Sequence, residues 1–178
     1  MAEAVGFPVT LKVSSTSLAH KSDVGGLALN LQTRADTQEA AKRLGQLGDE
    51  LLVEEMIQGA VCELIVGLKR DPQFGLALVL GAGGVLTELL ADSATLILPA
   101  SRVEIERALS GLRVARLIDG YRGKSGDRPA LLDAIEAIAE FAADHADTIE
   151  ELDVNPLLVL PPGKGVVVVD ALLRIREE

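Results

Sequence analysis

A mixed fold of strands and helices, sized for one domain or two small lobes, is predicted by three observations. Short runs rich in Val, Ile and Leu recur along the 178 residues, at positions 9–13, 62–69 and 74–80 among others. Two stretches carry helix punctuation instead: Gly48 closes residues 35–47, and Pro129 opens residues 130–146. Near the C-terminus, two apolar runs flank Pro161-Pro162-Gly163-Lys164-Gly165, which reads as an antiparallel hairpin.

Taken in order, Met1-Ala-Glu-Ala-Val5 resembles the last turn of a helix, with Gly6 as its cap and Pro8 as its stop. Residues 9–13 alternate as a strand and carry Lys12 at its end. A strand so near the start implies upstream structure that is missing or belongs to another chain. Residues 14–26 then form a loop of hydroxyls and glycines around His20-Lys21-Ser22-Asp23. Its glycines permit close backbone approach, and its hydroxyls with Lys21 can meet phosphate oxygens. His20 is most simply a solvent-facing residue, but beside Lys21 and Asp23 it could accept a phosphoryl group as a nucleophile.

Residues 27–32 read as a strand and 35–47 as a helix. Residues 50–57 and 62–69 read as strands separated by a Gln58-Gly59 break that suits a hinge between lobes. After the Asp71-Pro72 turn, a buried strand over 74–80 runs into Gly81-Ala82-Gly83-Gly84. This glycine run lacks the Lys-Ser/Thr pair of a P-loop and the full Gly-x-Gly-x-x-Gly pattern. It is equally a tight turn or a place where backbone N–H groups surround an anion. Residues 94–98 form a short strand, Ser101 and Glu104 a capping box, and 113–118 a helix-like segment ahead of a polar loop over 119–127. In the helix over 130–146, Leu132, Ile135, Ile138, Phe141 and Ala142 form a core stripe, and His145 at its end is a C-terminal charge or a solvent-facing residue.

The hairpin has a geometry that can be stated in advance. With its turn centred between Pro162 and Gly163, Asn155 faces Asp170, Leu157 faces Val168 and Val159 faces Val166. The Cβ atoms of Asn155 and Asp170 are then about 4.5–5.5 Å apart, and Asp153 points the same way. Three oxygen-bearing side chains gather at one end, with Leu157, Val159, Val166 and Val168 keeping the rest of that face apolar. Two hard oxygen ligands, with water and phosphate in the other positions, suit Mg²⁺. The plainer alternative is a capped hairpin with solvated acids. A one-residue bulge in the loop would reverse the facing.

Composition narrows the partners. The net charge of −10 disfavours a duplex-binding surface, and three Phe, one Tyr and no Trp leave little for stacking on single strands. The core must be aliphatic. No stretch of about 18 apolar residues occurs, so a membrane span is not expected. Cys62 is the only cysteine, with apolar neighbours, which points to a buried, inert thiol and a reducing cytoplasm.

Several motifs in sequence resemble one family: Gly6-Phe-Pro-Val-Thr-Leu-Lys12, His20-Lys-Ser-Asp-Val-Gly-Gly26, Val53-Glu-Glu-Met56, Glu63-Leu-Ile-Val-Gly67, Gly81-Ala-Gly-Gly84, Gly120-Tyr-Arg-Gly123, Glu151-Leu-Asp-Val-Asn-Pro-Leu157 and Val169-Asp-Ala171. Together they look like the ATP-grasp domain of NDP-forming acyl-CoA synthetases, related to the β-subunit of succinyl-CoA synthetase. The resemblance implies an α+β ATP-grasp fold of two lobes, residues 1–57 and 58–178, gripping ATP or ADP and lacking its N-terminal segment. It implies that Lys12 meets the phosphates and that Glu54, Glu55 and Met56 lie by the adenine and ribose. Glu63 would stand near the nucleotide, Gly81, Gly83 and Gly84 would frame the transferred phosphate, and Asn155 and Asp170 would bind Mg²⁺. His20 would carry phosphate between the nucleotide and a partner domain. The implied partners are CoA-binding and ligase domains, in the same chain or an α-subunit-like one, within an oligomer. Residues 92–99 lack an arginine expected in many relatives. The implied activity is an ADP-forming acid–CoA ligase. The alternatives are a non-catalytic synthetase-like regulatory domain of a protein acetyltransferase, and a carboxylate–amine ligase, which leaves the histidine loop unexplained.

Overall fold

The computed structural model describes residues 1–14, 25–48, 50–84 and 92–176. They fall into two compact units, Met1–Gln58 and Gly59–Glu178. The first holds helix α1 (Ala2–Val5), strands β1 (Val9–Ser14) and β2 (Leu27–Leu31), helix α2 (Arg34–Leu44) and strand β3 (Glu50–Glu55). Its antiparallel sheet has the order β2-β1-β3, so β1 is central. Strand alternation divides β1. Leu11 and Val13 join Ala28, Ala40 and Leu44 in an apolar cluster, whereas Thr10 and Lys12 are buried on the opposite face. Thr33 caps α2 with a capping box to Asp36. The helix ends at Leu44, short of the expected residue 47, because the chain tightens there: the Leu47 N–H donates to the Leu44 carbonyl at 2.9 Å.

The second unit contains strands β4 (Cys62–Asp71), β5 (Gly75–Ala82) and β6 (Ser93–Ile97), then helices α3 (Arg102–Gly111), α4 (Ala115–Gly120) and α5 (Arg128–Asp144). Strands β7 (Ile149–Val159), β8 (Val166–Val168) and β9 (Ala171–Ile175) close it. The sheet order is β6-β5-β4-β7-β8, with β9 also paired to β7. One sheet face meets the helices in a core of Leu64, Val66, Leu78, Ile105, Leu109, Leu131, Ile135 and their neighbours, all of it aliphatic apart from Cys62. Burying each such Leu or Ile stabilises the fold by about 1.5–3 kcal/mol before entropy is counted. In the stripe expected on α5, Leu132, Ile135 and Ala142 are buried, but Phe141 is 38% exposed. Phe141 stacks on His145 at 4.5 Å instead, and Leu131 and Ala139 complete the buried face. His145 caps the helix from an exposed position, as expected.

The turn of the C-terminal hairpin is tied to α5 by Asp127. Its carboxylate accepts the Ala130 N–H at 3.3 Å as the helix N-cap, and the Gly163 and Gly165 N–H groups at 2.8 and 2.9 Å. The Gly165 bond leads, with Ala130 and Gly163, in holding this carboxyl below the usual carboxylate range. A depressed folded-state pKa contributes stability above the unfolded value, and that stability is lost as the pH falls through the folded value. Asp127→Ala is therefore expected to melt about 5 °C lower near neutral pH. The gap to the wild type should close as the pH drops below about 4. Thermal melts followed by circular dichroism across pH check this, and a gap that persists in acid would refute the role.

Candidate functional site

In the first unit, the central position of β1 gives Lys12 two neighbouring strands to be buried under. Its side chain is 9% exposed and its Nζ lies 2.6 Å from Oε2 of Glu54. Glu54 pairs with Thr10 across β1 and β3, so its side chain rises on the face that Thr10 and Lys12 share. The Thr10 hydroxyl donates to Sδ of Met56 at 3.2 Å. Lys12, Glu54 and Met56 are thus brought together, with Thr10 as a member that sequence reasoning missed. Its signal was available: Thr10 stands two residues before Lys12 in an alternating strand. Glu55 pairs with Val9 and so takes the other face. Met56 spends its backbone N–H on the Pro8 carbonyl at 3.1 Å.

In the second unit, Glu63 and the glycine run meet. Gly81 and Ala82 continue β5, so Gly81 is a buried strand residue rather than part of the loop. The loop begins at Gly83, whose N–H donates to the Glu63 carbonyl at 2.8 Å. A Cβ on Gly83 would stand 3.0 Å from the Glu63 backbone carbon, and one on Gly84 would stand 2.8 Å from Glu63 Oε2. Glycine at 83 lets the loop lie on the Glu63 backbone, and glycine at 84 leaves room for the Glu63 carboxylate where it stands. Next door, burial first and the Glu63 charge second push the Cys62 thiol up to about 11, which keeps it protonated and inert.

The hairpin register follows the sequence reading: Leu157 pairs with Val168 and Val159 with Val166, while the Asn155 N–H donates to the Asp170 carbonyl at 3.1 Å. One part of the expectation is overturned. Leu64 pairs with Leu157 but Val66 with Val154, so Asn155 and Pro156 together stand against Ile65. That extra residue is a β-bulge, where a proline lacking a ladder N–H is at home. It lets Val154 and Leu157 both enter the core, 4% and 0% exposed, while Asn155 is exposed. Leu157 and Val159 therefore do not share the Asn155 face. Alternation places Asp153 and Asn155, like Glu63 on β4, on the sheet face turned from the core.

The donor set suits magnesium. Asn155 offers a carboxamide oxygen. Asp170 spends Oδ1 on the Ala171 N–H at 3.1 Å, which leaves its other oxygen. Two hard oxygens, with phosphate and water supplying the rest, match the habit of Mg²⁺ better than that of a caged ion. Among the described residues no group of three or more His, Cys, Asp or Glu converges on a metal position. His20 and its loop lie outside the described residues. Among the described residues no helix is long and apolar enough to cross a membrane.

Each unit thus carries its own feature: a buried lysine paired to a glutamate in the first, and a glycine loop seated on a second glutamate in the second. A family model described as an ATP-grasp domain matches residues 1–175. The chain belongs to this family, as an ATP-grasp domain of the NDP-forming acyl-CoA synthetase type. It is 37% identical to acetate–CoA ligase [ADP-forming] I of Archaeoglobus fulgidus, over 94% of this chain and 25% of that one. It is 32% identical to the β subunit of acetate–CoA ligase [ADP-forming] I of Pyrococcus furiosus, over 86% of this chain and 69% of that one. A dinucleotide forming acetyl-coenzyme A synthetase 1 of Ca. Korarchaeum cryptofilum superposes with a TM-score of 0.82 and 35% identity, over 98% of this chain and 79% of that one. That structure holds coenzyme A and Mg-AMPPCP, with a phosphohistidine segment pointing towards the nucleotide binding site. The chain spans about a quarter of the length of the first curated relatives it matches, 25% and 26%.

Proposed function

We propose that this chain is the ATP-binding, phosphoryl-transferring part of an ADP-forming acid–CoA ligase. The observation that carries the reading is Lys12, a cation buried on the central strand and held by Glu54 at 2.6 Å. A fixed, partly desolvated ammonium suits polyphosphate oxygens, because its attraction is stronger out of water. Lys12 would neutralise the phosphates and Glu54 would hold its Nζ in place. The carbonyl of Met56 would accept from the base, since its N–H is taken by Pro8. Glu63 would position the Gly83-Gly84 backbone near the transferred group.

Asn155 and Asp170 would hold Mg²⁺, which supplies charge neutralisation on the phosphate oxygens when bound. His20 would attack the terminal phosphorus through a ring nitrogen. The bond to the bridging oxygen breaks, ADP leaves with that electron pair, and the phosphoryl group rides on His20 to a partner domain. The acid and coenzyme A would be handled by domains beyond these residues. The β-subunit relative and the larger single-chain relatives support that division.

Two measurements test the reading. Titration with a non-hydrolysable ATP analogue should lose its Mg²⁺-dependent part in Asp170→Ala, about 10-fold or more in affinity, while circular dichroism stays unchanged. With the companion domains supplied, γ-labelled ATP should leave acid-labile, base-stable label on His20. Label that persists in His20→Ala would remove the nucleophile, and full Mg²⁺ dependence in Asp170→Ala would remove the metal assignment.

A further inference from the structure

Residues 107–128 invert the charge of the chain around them. In a protein of net charge −10, six of the 17 Lys and Arg residues fall there, namely Arg107, Arg113, Arg116, Arg122, Lys124 and Arg128, against Asp119 and Asp127. The acids of this region are already committed. Asp119 takes Arg128 at 2.6 Å, and Asp127 accepts backbone N–H groups from Ala130, Gly163 and Gly165. Asp92 accepts the Arg113 and Val114 N–H groups at 2.9 and 3.0 Å. Arg113, Arg116, Arg122 and Lys124 remain exposed, and none of the ion pairs among the described residues includes them.

The tip of this segment is a built feature. Tyr121 and Lys124 exchange backbone hydrogen bonds of 3.0 and 3.3 Å across a two-residue turn. Both central residues have positive φ, Arg122 at 53° and Gly123 at 80°. Asn or Gly is usual at the first of these positions, and arginine is rare there. The Arg122 guanidinium sits 5.3 Å from the centroid of Tyr121, the chain's one tyrosine, which is 54% exposed. A cation–π contact at this distance holds the guanidinium beside the ring and leaves its N–H groups for an anion.

We propose that this turn docks an acidic protein surface, with carboxylates of another polypeptide meeting Arg122 and Lys124 and the Tyr121 ring supplying buried apolar area. Tyr and Arg are the side chains that most often anchor protein interfaces. Every residue from Tyr121 to Lys124 is exposed, so a small anion here would stay largely in water.

The test is fluorescence anisotropy of a labelled oligo-glutamate peptide with the whole chain at low and high salt, inorganic polyphosphate serving as competitor. The wild type should bind at about 50 mM salt and release at about 500 mM. Arg122→Glu with Lys124→Glu should weaken binding about 10-fold or more. Arg122→Gly relieves the positive φ, so it should melt no lower than the wild type and still bind several-fold more weakly. No binding by the wild type, equal binding by both variants, or polyphosphate outcompeting the peptide at equal charge would each overturn the proposal.

Discussion

Lys12→Met is expected to cut the affinity for an ATP analogue about 100-fold, the loss of one or two charge-assisted bonds to phosphate. Methionine keeps most of the aliphatic stem, so the packing of β1 between β2 and β3 survives and the melting curve should move little. Glu54 then loses its cation, and a carboxylate beside the phosphates repels them. Glu54→Gln placed on top of Lys12→Met should for that reason regain part of the lost affinity, whereas Glu54→Gln alone should weaken binding by misplacing the lysine. Calorimetric titration of the four proteins completes the cycle. Unchanged affinity in Lys12→Met would leave the pair as a structural ion pair with no part in binding nucleotide.

Gly83→Ala carries the second large effect. Its new Cβ would meet the Glu63 backbone carbon, Cβ and carbonyl oxygen at 3.0–3.1 Å. Those atoms belong to a strand laddered to β5 through Leu64 and Ala82, and to β7 through Leu158, so they cannot retreat. The loop must lift, and the Gly83 to Glu63 hydrogen bond breaks. About 3 kcal/mol is expected for overpacking plus the lost bond, or about 10 °C in the melting temperature of the second unit. Gly84→Ala differs in kind. Its clash is with the end of the Glu63 side chain, which can swing away, although a φ of 62° still disfavours alanine. Removing the Glu63 side chain as Glu63→Ala should thus rescue Gly84→Ala in part and Gly83→Ala hardly at all. Equal rescue of both would show that the loop rests on the carboxylate and not on the strand.

Much of this was legible from residue order. The Pro161–Gly165 turn chemistry predicted which residues pair across the hairpin, because a turn and its two arms are neighbours in the chain. Ser101 and Glu104 announced their capping box for the same reason. The Asp127-Arg128-Pro129 start of α5 was also there to be read as a cap, but its second task was not. The Gly163 and Gly165 donors lie 36 and 38 residues away. The bulge at Asn155-Pro156 escaped because it is a mismatch between β7 and β4, strands far apart in the chain, and no local signal counts residues across such a pair.

By itself, then, the sequence determined the kinds of elements, the aliphatic core, the hairpin register and the chemical types proposed to meet phosphate and magnesium. Each of these depends on periodicity, turn propensity or composition, all of which act over a few neighbouring residues. Only the tertiary structure decided that Glu54 meets Lys12, that Thr10 is buried beside them, that Gly83 and Gly84 rest on Glu63, and that Asn155 leaves the face of Leu157. Those outcomes hang on which strands lie side by side and in what register, and pairing between distant strands is settled by the packing of the whole core.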